Sequence, residues 1–250
     1  MGGIMSIRGR LTKEMFGRTM PVTAPAFVEK PSYWRGATWY SFSYETEPEI
    51  AAQIVPEQLT LTDPATARLV FASYEWSTGG PYMEILQAVD VEYDGEQCIF
   101  FTQAGVSHSI PLMAGREGYG FPKKVGSISY VQHEDLLGMY YERPQGLRLI
   151  TAVFREVSPV TPVPESTIMK GINLRVILSP EPDVQYSLVE LIKAELEINP
   201  KELWVGEGNC SYSGLSDLDP WHQLPVKKSL ECTRMNLDIN LKGAAVIETL

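Results

Sequence analysis

Two adjacent lysines, Lys123 and Lys124, follow Phe121-Pro122 at the end of a glycine-rich turn, Gly115-Arg116-Glu117-Gly118-Tyr119-Gly120, and lead into Val125-Gly126. An ordinary lysine is protonated at neutral pH and is a poor nucleophile. A neighbouring cation and an apolar setting both penalise the ammonium form, and Tyr119, Phe121, Pro122 and Val125 supply apolar neighbours here. An amine kept neutral in this way attacks a carbonyl carbon and forms an imine. The residues alone leave a plainer reading open, because most Lys-Lys pairs are solvated turns with their charged heads in water.

No competing constellation is present. His108, His133 and His222 are scattered and lack Cys, His or carboxylate partners at ligand spacing, so no metal site is expected. Cys98, Cys210 and Cys232 are odd in number and far apart, with no C-x-x-C spacing, which points to a reducing, cytoplasmic setting. No P-loop, G-x-S-x-G or G-x-G-x-x-G lies in a strand-turn-helix context, and no cofactor is expected.

The 250 residues are 44% hydrophobic, enough for a substantial core, and their net charge of −10 is spread along the chain. With no basic face for a phosphate backbone, nucleic acid is not an expected partner. Apolar runs such as Cys98-Ile99-Phe100-Phe101 fall far short of the roughly 20 residues that span a bilayer, so no membrane partner is expected either. The start, Met1-Gly2-Gly3-Ile4-Met5-Ser6, formally fits a myristoylation pattern, yet one acyl chain anchors only marginally. The plainer expectation for residues 1–20 is a flexible arm, in which Arg8, Arg10, Lys13 and Arg18 interrupt any secretory apolar run.

The elements that must hold the lysine pair are mainly strands. Trp39–Tyr44 and Arg68–Trp76 alternate with aromatic and β-branched residues, and Asp94-Gly95-Glu96 joins Tyr82–Tyr93 to Cys98–Gln103 as a tight hairpin. A meander follows through Val125–Gln132, Leu136–Arg143 and Leu147–Val157, its last turn at Pro144-Gln145-Gly146. Thr46-Glu47-Pro48-Glu49 has the form of a capping box opening a short helix over residues 47–54. Leu188–Ile198 is ambiguous, with helical propensity but some alternation. Pro159–Pro164 reads as a crossover loop rather than a boundary, which leaves a single domain over residues 21–250.

Gly115-Arg116-Glu117 with Gly120-Phe121-Pro122-Lys123-Lys124-Val125-Gly126 closely resembles the signature of the acetoacetate decarboxylase family. Ile54–Leu59, Tyr82–Ala88 and Leu224–Lys227 follow in the family's order, so the resemblance spans roughly residues 25 to 240. It implies a mostly β fold, a closed antiparallel cone-like barrel with flanking sheets and a few short helices, in which Leu188–Ile198 is a strand. It also implies Lys123 as the Schiff-base nucleophile, Lys124 as the companion cation that activates it, Glu84 as acid or base, and a homo-oligomeric assembly. Lysines activated by desolvation or a neighbouring cation include that of acetoacetate decarboxylase itself.

The chain departs from the family pattern at two points. The arginine expected on the strand before the helix falls on Ala37; Arg35, two residues away, is expected on the same strand face as a substitute that contacts substrate together with Phe121. A second glutamate falls near Leu69 or Val70, which implies a greasier pocket; the aromatic strand Tyr33, Trp34, Trp39 and Tyr40 either lines that pocket or packs in the core. The expected activity is therefore decarboxylation of a β-keto acid through a lysine imine and enamine. Its alternatives are aldol, dehydration or cyclisation chemistry on a larger carbonyl substrate, or a barrel that only binds such a ligand.

Overall fold

Aromatic and β-branched runs become strands over most of the chain. The computed structural model describes residues 7–27, 31–213 and 216–250, so the Gly2 pattern lies outside the described residues. In chain order the elements are β1 (Tyr33–Glu45), α1 (Pro48–Ala52), β2 (Thr60–Leu61), β3 (Thr66–Ser77), β4 (Tyr82–Tyr93) and β5 (Glu96–Val106). Then come α2 (Ser109–Met113), β6 (Lys123–Val125), β7 (Ser127–His133), β8 (Leu136–Glu142), β9 (Arg148–Pro159), β10 (Thr167–Leu178), β11 (Tyr186–Tyr212) and β12 (Lys228–Thr249).

Seven strands close a ring in the order β10, β5, β4, β3, β1, β12, β11 and back to β10. The expected mostly β, barrel-like fold is therefore present. The ring is antiparallel except where it closes: Gly171 and Ile172 of β10 run parallel to Ile99 and Phe100 of β5. Hairpins force antiparallel neighbours, but β10 arrives through the Pro-rich crossover and is free to lie parallel. The second half of β11, Trp204–Tyr212, leaves the ring to pair with β9, and β8 and β7 extend that flanking sheet.

Tertiary pairing settles the ambiguous segment. Leu188–Ile198 lies in β11 between β10 and β12, so backbone bonding on both sides overrides its helical propensity. The β4–β5 hairpin turns through Asp94 at φ 51° and Gly95 at φ 75°, the paired positive angles of a type I′ turn. The capping box does not form. The Thr46 N–H donates to the Ala65 carbonyl and stays with the sheet, so Glu47 becomes the N-cap and the helix shortens to Pro48–Ala52.

Two apolar clusters matter to the site. Phe42, Tyr44, Phe71, Phe154 and Trp221 pack where the ring meets the flanking sheet, and Ala37, Tyr74, Tyr82, Leu237 and Ile239 pack within the ring wall. Each large side chain so buried stabilises the fold by roughly 1.5–3 kcal/mol relative to exposure. Cys98, Cys210 and Cys232 are free and buried, and no described helix is long and apolar enough to cross a membrane.

Candidate active site

Strand β6 is three residues long and pairs in parallel with β5, placing Lys123 beside Ala104 and Lys124 beside Gly105. Side chains alternate along a strand, so adjacent lysines take opposite faces. Lys123 points inward and is 7% exposed. The preceding turn fixes it from behind: the Gly120 N–H donates to Arg116 O at 3.2 Å, Phe121 N–H to Gly115 O at 3.1 Å, and the Arg116 guanidinium to Lys123 O at 3.2 Å. Gly120 sits at φ +72°, with the Arg175 backbone 3.0 Å from where a Cβ would stand. A Cβ on Gly115 would lie 2.7 Å from Lys123 Cδ, so the lysine stem runs directly over that glycine.

Lys123 Nζ lies 2.7 Å from Glu84 Oε1. Glu84 projects from β4 between Ala72 of β3 and Val106 of β5 and is 4% exposed. The contact is an ion pair by distance, and no donor is aligned with Oε1 as a full hydrogen bond. The rings of Phe121 and Tyr82 lie 5.1 and 5.8 Å from Nζ, within reach of a cation–π interaction. This pair borders a cavity of about 620 Å³ that Trp34, Trp39, Tyr74, Tyr82, Phe101 and Phe121 help to line. Burial, reinforced by the Glu84 charge, pushes the Tyr74 and Tyr82 phenols well above their ordinary range and keeps both protonated.

The other expected residues are distributed unevenly. Phe121 lines the cavity and packs on Phe101, with ring centroids 4.9 Å apart. Lys124 points to the other side, where Nζ meets the Leu218 carbonyl and Asp219 Oδ1 at 3.3 Å, so the expected companion cation is committed elsewhere. Arg35 does not line the cavity; its Nη1 donates to Trp34 O at 2.8 Å and Ile239 O at 3.0 Å. The reason is a bulge: with Gly36 at φ +61°, the β1–β12 register slips between Trp34 and Ala37. The two-residue face rule fails across such a slip.

Leu69 and Val70 do not line the cavity either; from β3 it receives Tyr74 and Ser77 instead. Tyr33, Trp34 and Trp39 line it as expected, whereas Tyr40 faces the other cluster, 5.4 Å from the Phe154 ring. Sequence reasoning missed Tyr82, although its place two residues before Glu84 on an alternating strand puts it on the same face. Also unexpected were Arg18, from the segment read as an arm, and Arg175, which bonds Glu190 and the Glu117 carbonyl. Among the described residues no group of three His, Cys, Asp or Glu side chains could hold a metal ion.

A ring of strands around a buried lysine and carboxylate defines the class of site, and the acetoacetate decarboxylase family model matches residues 19–250. The chain belongs to the acetoacetate decarboxylase family and is an acetoacetate decarboxylase-like enzyme. It is 29% identical over 233 residues to an acetoacetate decarboxylase of Burkholderia cenocepacia, covering 91% of this chain and 93% of that protein. Against Decarboxylase DEC1 of Cochliobolus heterostrophus the identity is 24% over 237 residues, covering 92% and 93%. The crystal structure of acetoacetate decarboxylase from Legionella pneumophila matches with a TM-score of 0.82 and 23% identity, over 98% of this chain and 99% of that one. The enduracididine biosynthesis enzyme MppR, complexed with the condensation product of pyruvate and imidazole 4-carboxaldehyde, matches at 0.80 and 18% identity, over 96% and 98%. Those structural likenesses establish the fold.

Proposed function

We propose that this protein is a carbon–carbon lyase in which Lys123 forms a Schiff base with the ketone of a β-keto acid and carbon dioxide is released. The observation that carries this reading is the shielded contact of Lys123 Nζ with Glu84 Oε1, 2.7 Å apart at the wall of an aromatic cavity. Glu84 takes a proton from Lys123, and the neutral amine adds to the ketone carbon. The resulting hydroxyl leaves as water on taking the Glu84 proton, and a protonated imine remains. The bond to the carboxylate then breaks, its electron pair flows to the imine nitrogen, and an enamine and carbon dioxide result. Glu84, reprotonated from water, protonates the enamine carbon, and hydrolysis returns the ketone product and the free amine.

The cavity, at about 620 Å³, falls in the range that holds drug-sized ligands, well beyond the needs of a four-carbon acid. A longer or aromatic β-keto acid fits it better than acetoacetate. The same volume favours one second reading, aldol-type chemistry on a larger carbonyl compound, in line with the condensation product held by MppR.

The test is borohydride reduction with acetoacetate or 3-oxooctanoate, read by intact mass and peptide mapping, together with carbon dioxide measured in the headspace. We expect a reduced adduct on Lys123, its loss in Lys123→Arg because guanidinium stays protonated, and faster gas release with the longer acid. An adduct confined to Lys124, Lys227 or Lys228 would overturn the assignment. An adduct on Lys123 without carbon dioxide would select the aldol-type reading.

A further inference from the structure

The imine chemistry leaves a buried donor in the same cavity unused. Tyr74 of β3 and Tyr82 of β4 are directly cross-strand, with ring centroids 4.6 Å apart. Each phenolic oxygen accepts from an indole: Trp34 Nε1 donates to Tyr82 Oη at 2.9 Å, and Trp39 Nε1 to Tyr74 Oη at 3.3 Å. A phenol that accepts in this way still has its own proton to donate. Tyr82 is 8% exposed and lines the cavity, and its ring stands 5.8 Å from Lys123 Nζ.

Charge makes this donor informative. Ala37, where the family resemblance expects an arginine, is the cross-strand partner of Tyr74 and is fully buried. Arg35 is turned to backbone carbonyls, and the lining arginines come from the N-terminal segment and β10 rather than from β1 or β3. The wall around Glu84 thus carries the neutral phenols of Tyr74 and Tyr82 beside the Lys123 amine, and it carries no arginine from β1 or β3. A carboxylate brought there needs hydrogen bonds to offset its lost hydration.

We propose that Tyr82 is the carboxylate-binding residue of this site, its O–H donating to the substrate carboxylate while Trp34 holds the phenol in position. The assignment rests on the Lys123 imine described above. It deepens that reading by specifying how an acid substrate is oriented without the arginine expected on β1. A fixed cation stabilises the carboxylate most while it is still charged, before decarboxylation moves that charge toward the imine nitrogen. A neutral donor orients the group and lets it leave uncharged.

The probe is acetonylsulfonate, whose sulfonate stands where the carboxylate would and cannot leave, titrated calorimetrically into wild type and Tyr82→Phe. Acetone, which has no anionic group, is trapped on the same proteins with borohydride. Losing one charge-assisted bond should weaken sulfonate binding tenfold or more, with acetone trapping unchanged within twofold. Trp34→Phe, which keeps the phenol but removes its anchor, should weaken sulfonate binding in the same selective way and serves if Tyr82→Phe does not fold. Sulfonate affinity within twofold of wild type in the folded variants, or an equal loss for sulfonate and acetone, would overturn the proposal. Absence of any acetone adduct in wild type would sink the Lys123 imine instead, while the sulfonate titration still reads the Tyr82 subsite.

Discussion

Replacing Gly115 by alanine adds one methyl group where the chain passes under Lys123. The new Cβ would stand 2.7 Å from Lys123 Cδ, 2.8 Å from Cε and 3.2 Å from Nζ. Carbon atoms prefer about 3.5–4.0 Å, so the lysine stem must move by about 1 Å. A shift of that size carries Nζ out of its 2.7 Å contact with Glu84 Oε1. Misplacement of a reacting group by about 1 Å costs on the order of 100-fold in rate. Stability should change far less. Overpacking costs roughly 1–3 kcal/mol, and alanine returns about 0.4–1 kcal/mol by restricting the unfolded chain, which leaves a fall in Tm below about 10 °C for a chain of this size. Turnover of a β-keto acid, borohydride trapping on Lys123 and a thermal melt together check this. Turnover within threefold of wild type in Gly115→Ala would refute the claim that this glycine sets the position of the amine.

Three further outcomes are expected. Arg35→Ala should leave turnover within about twofold, because Arg35 does not line the cavity and its guanidinium serves two backbone carbonyls; a loss beyond tenfold in steady-state kinetics would return Arg35 to the site. Lys124→Gln removes the 3.3 Å contact with Asp219, which keeps Arg143 Nη1 at 2.6 Å, so Tm should fall by a few degrees. Trapping of a ketone on Lys123 in that variant should persist, and its disappearance would restore the companion-cation role. Burial raises the Tyr44, Tyr130, Tyr141 and Tyr212 phenols, like those of Tyr74 and Tyr82, and pushes the Cys210 thiol up to about 12. The unfolded chain loses these protons first as pH rises, from about 8.5 for the thiol and 10 for the phenols, so stability is full below that window and falls above it. Urea midpoints at pH 8 and 10.5 should show the drop, and equal midpoints would refute it.

Local chemistry made a good part of this protein legible in its sequence. Alternating aromatic runs, the Asp94-Gly95 turn and the meander after Val125 are set by steric rules that act within a few residues, and the strands formed where those rules put them. The Gly-rich turn before Lys123 was readable as a motif, but that the two lysines lie on strand β6 and so face opposite ways came only from its pairing with β5. Tertiary structure decided everything that depends on who lies across the sheet. Leu188–Ile198 became a strand because β10 and β12 flank it, and Thr46 left the helix cap because Ala65 offered its carbonyl. Arg35 turned away from the site because one bulge at Gly36 shifted the register on which its expected direction rested. Tyr74 reached the corner beside Ala37, and Tyr82 reached Trp34, through contacts between residues 37 and 48 positions apart in the chain. Spacing along a sequence carries the geometry of one strand, whereas register and ring closure are properties of several strands at once, and those fixed which side chains share the cavity with Lys123.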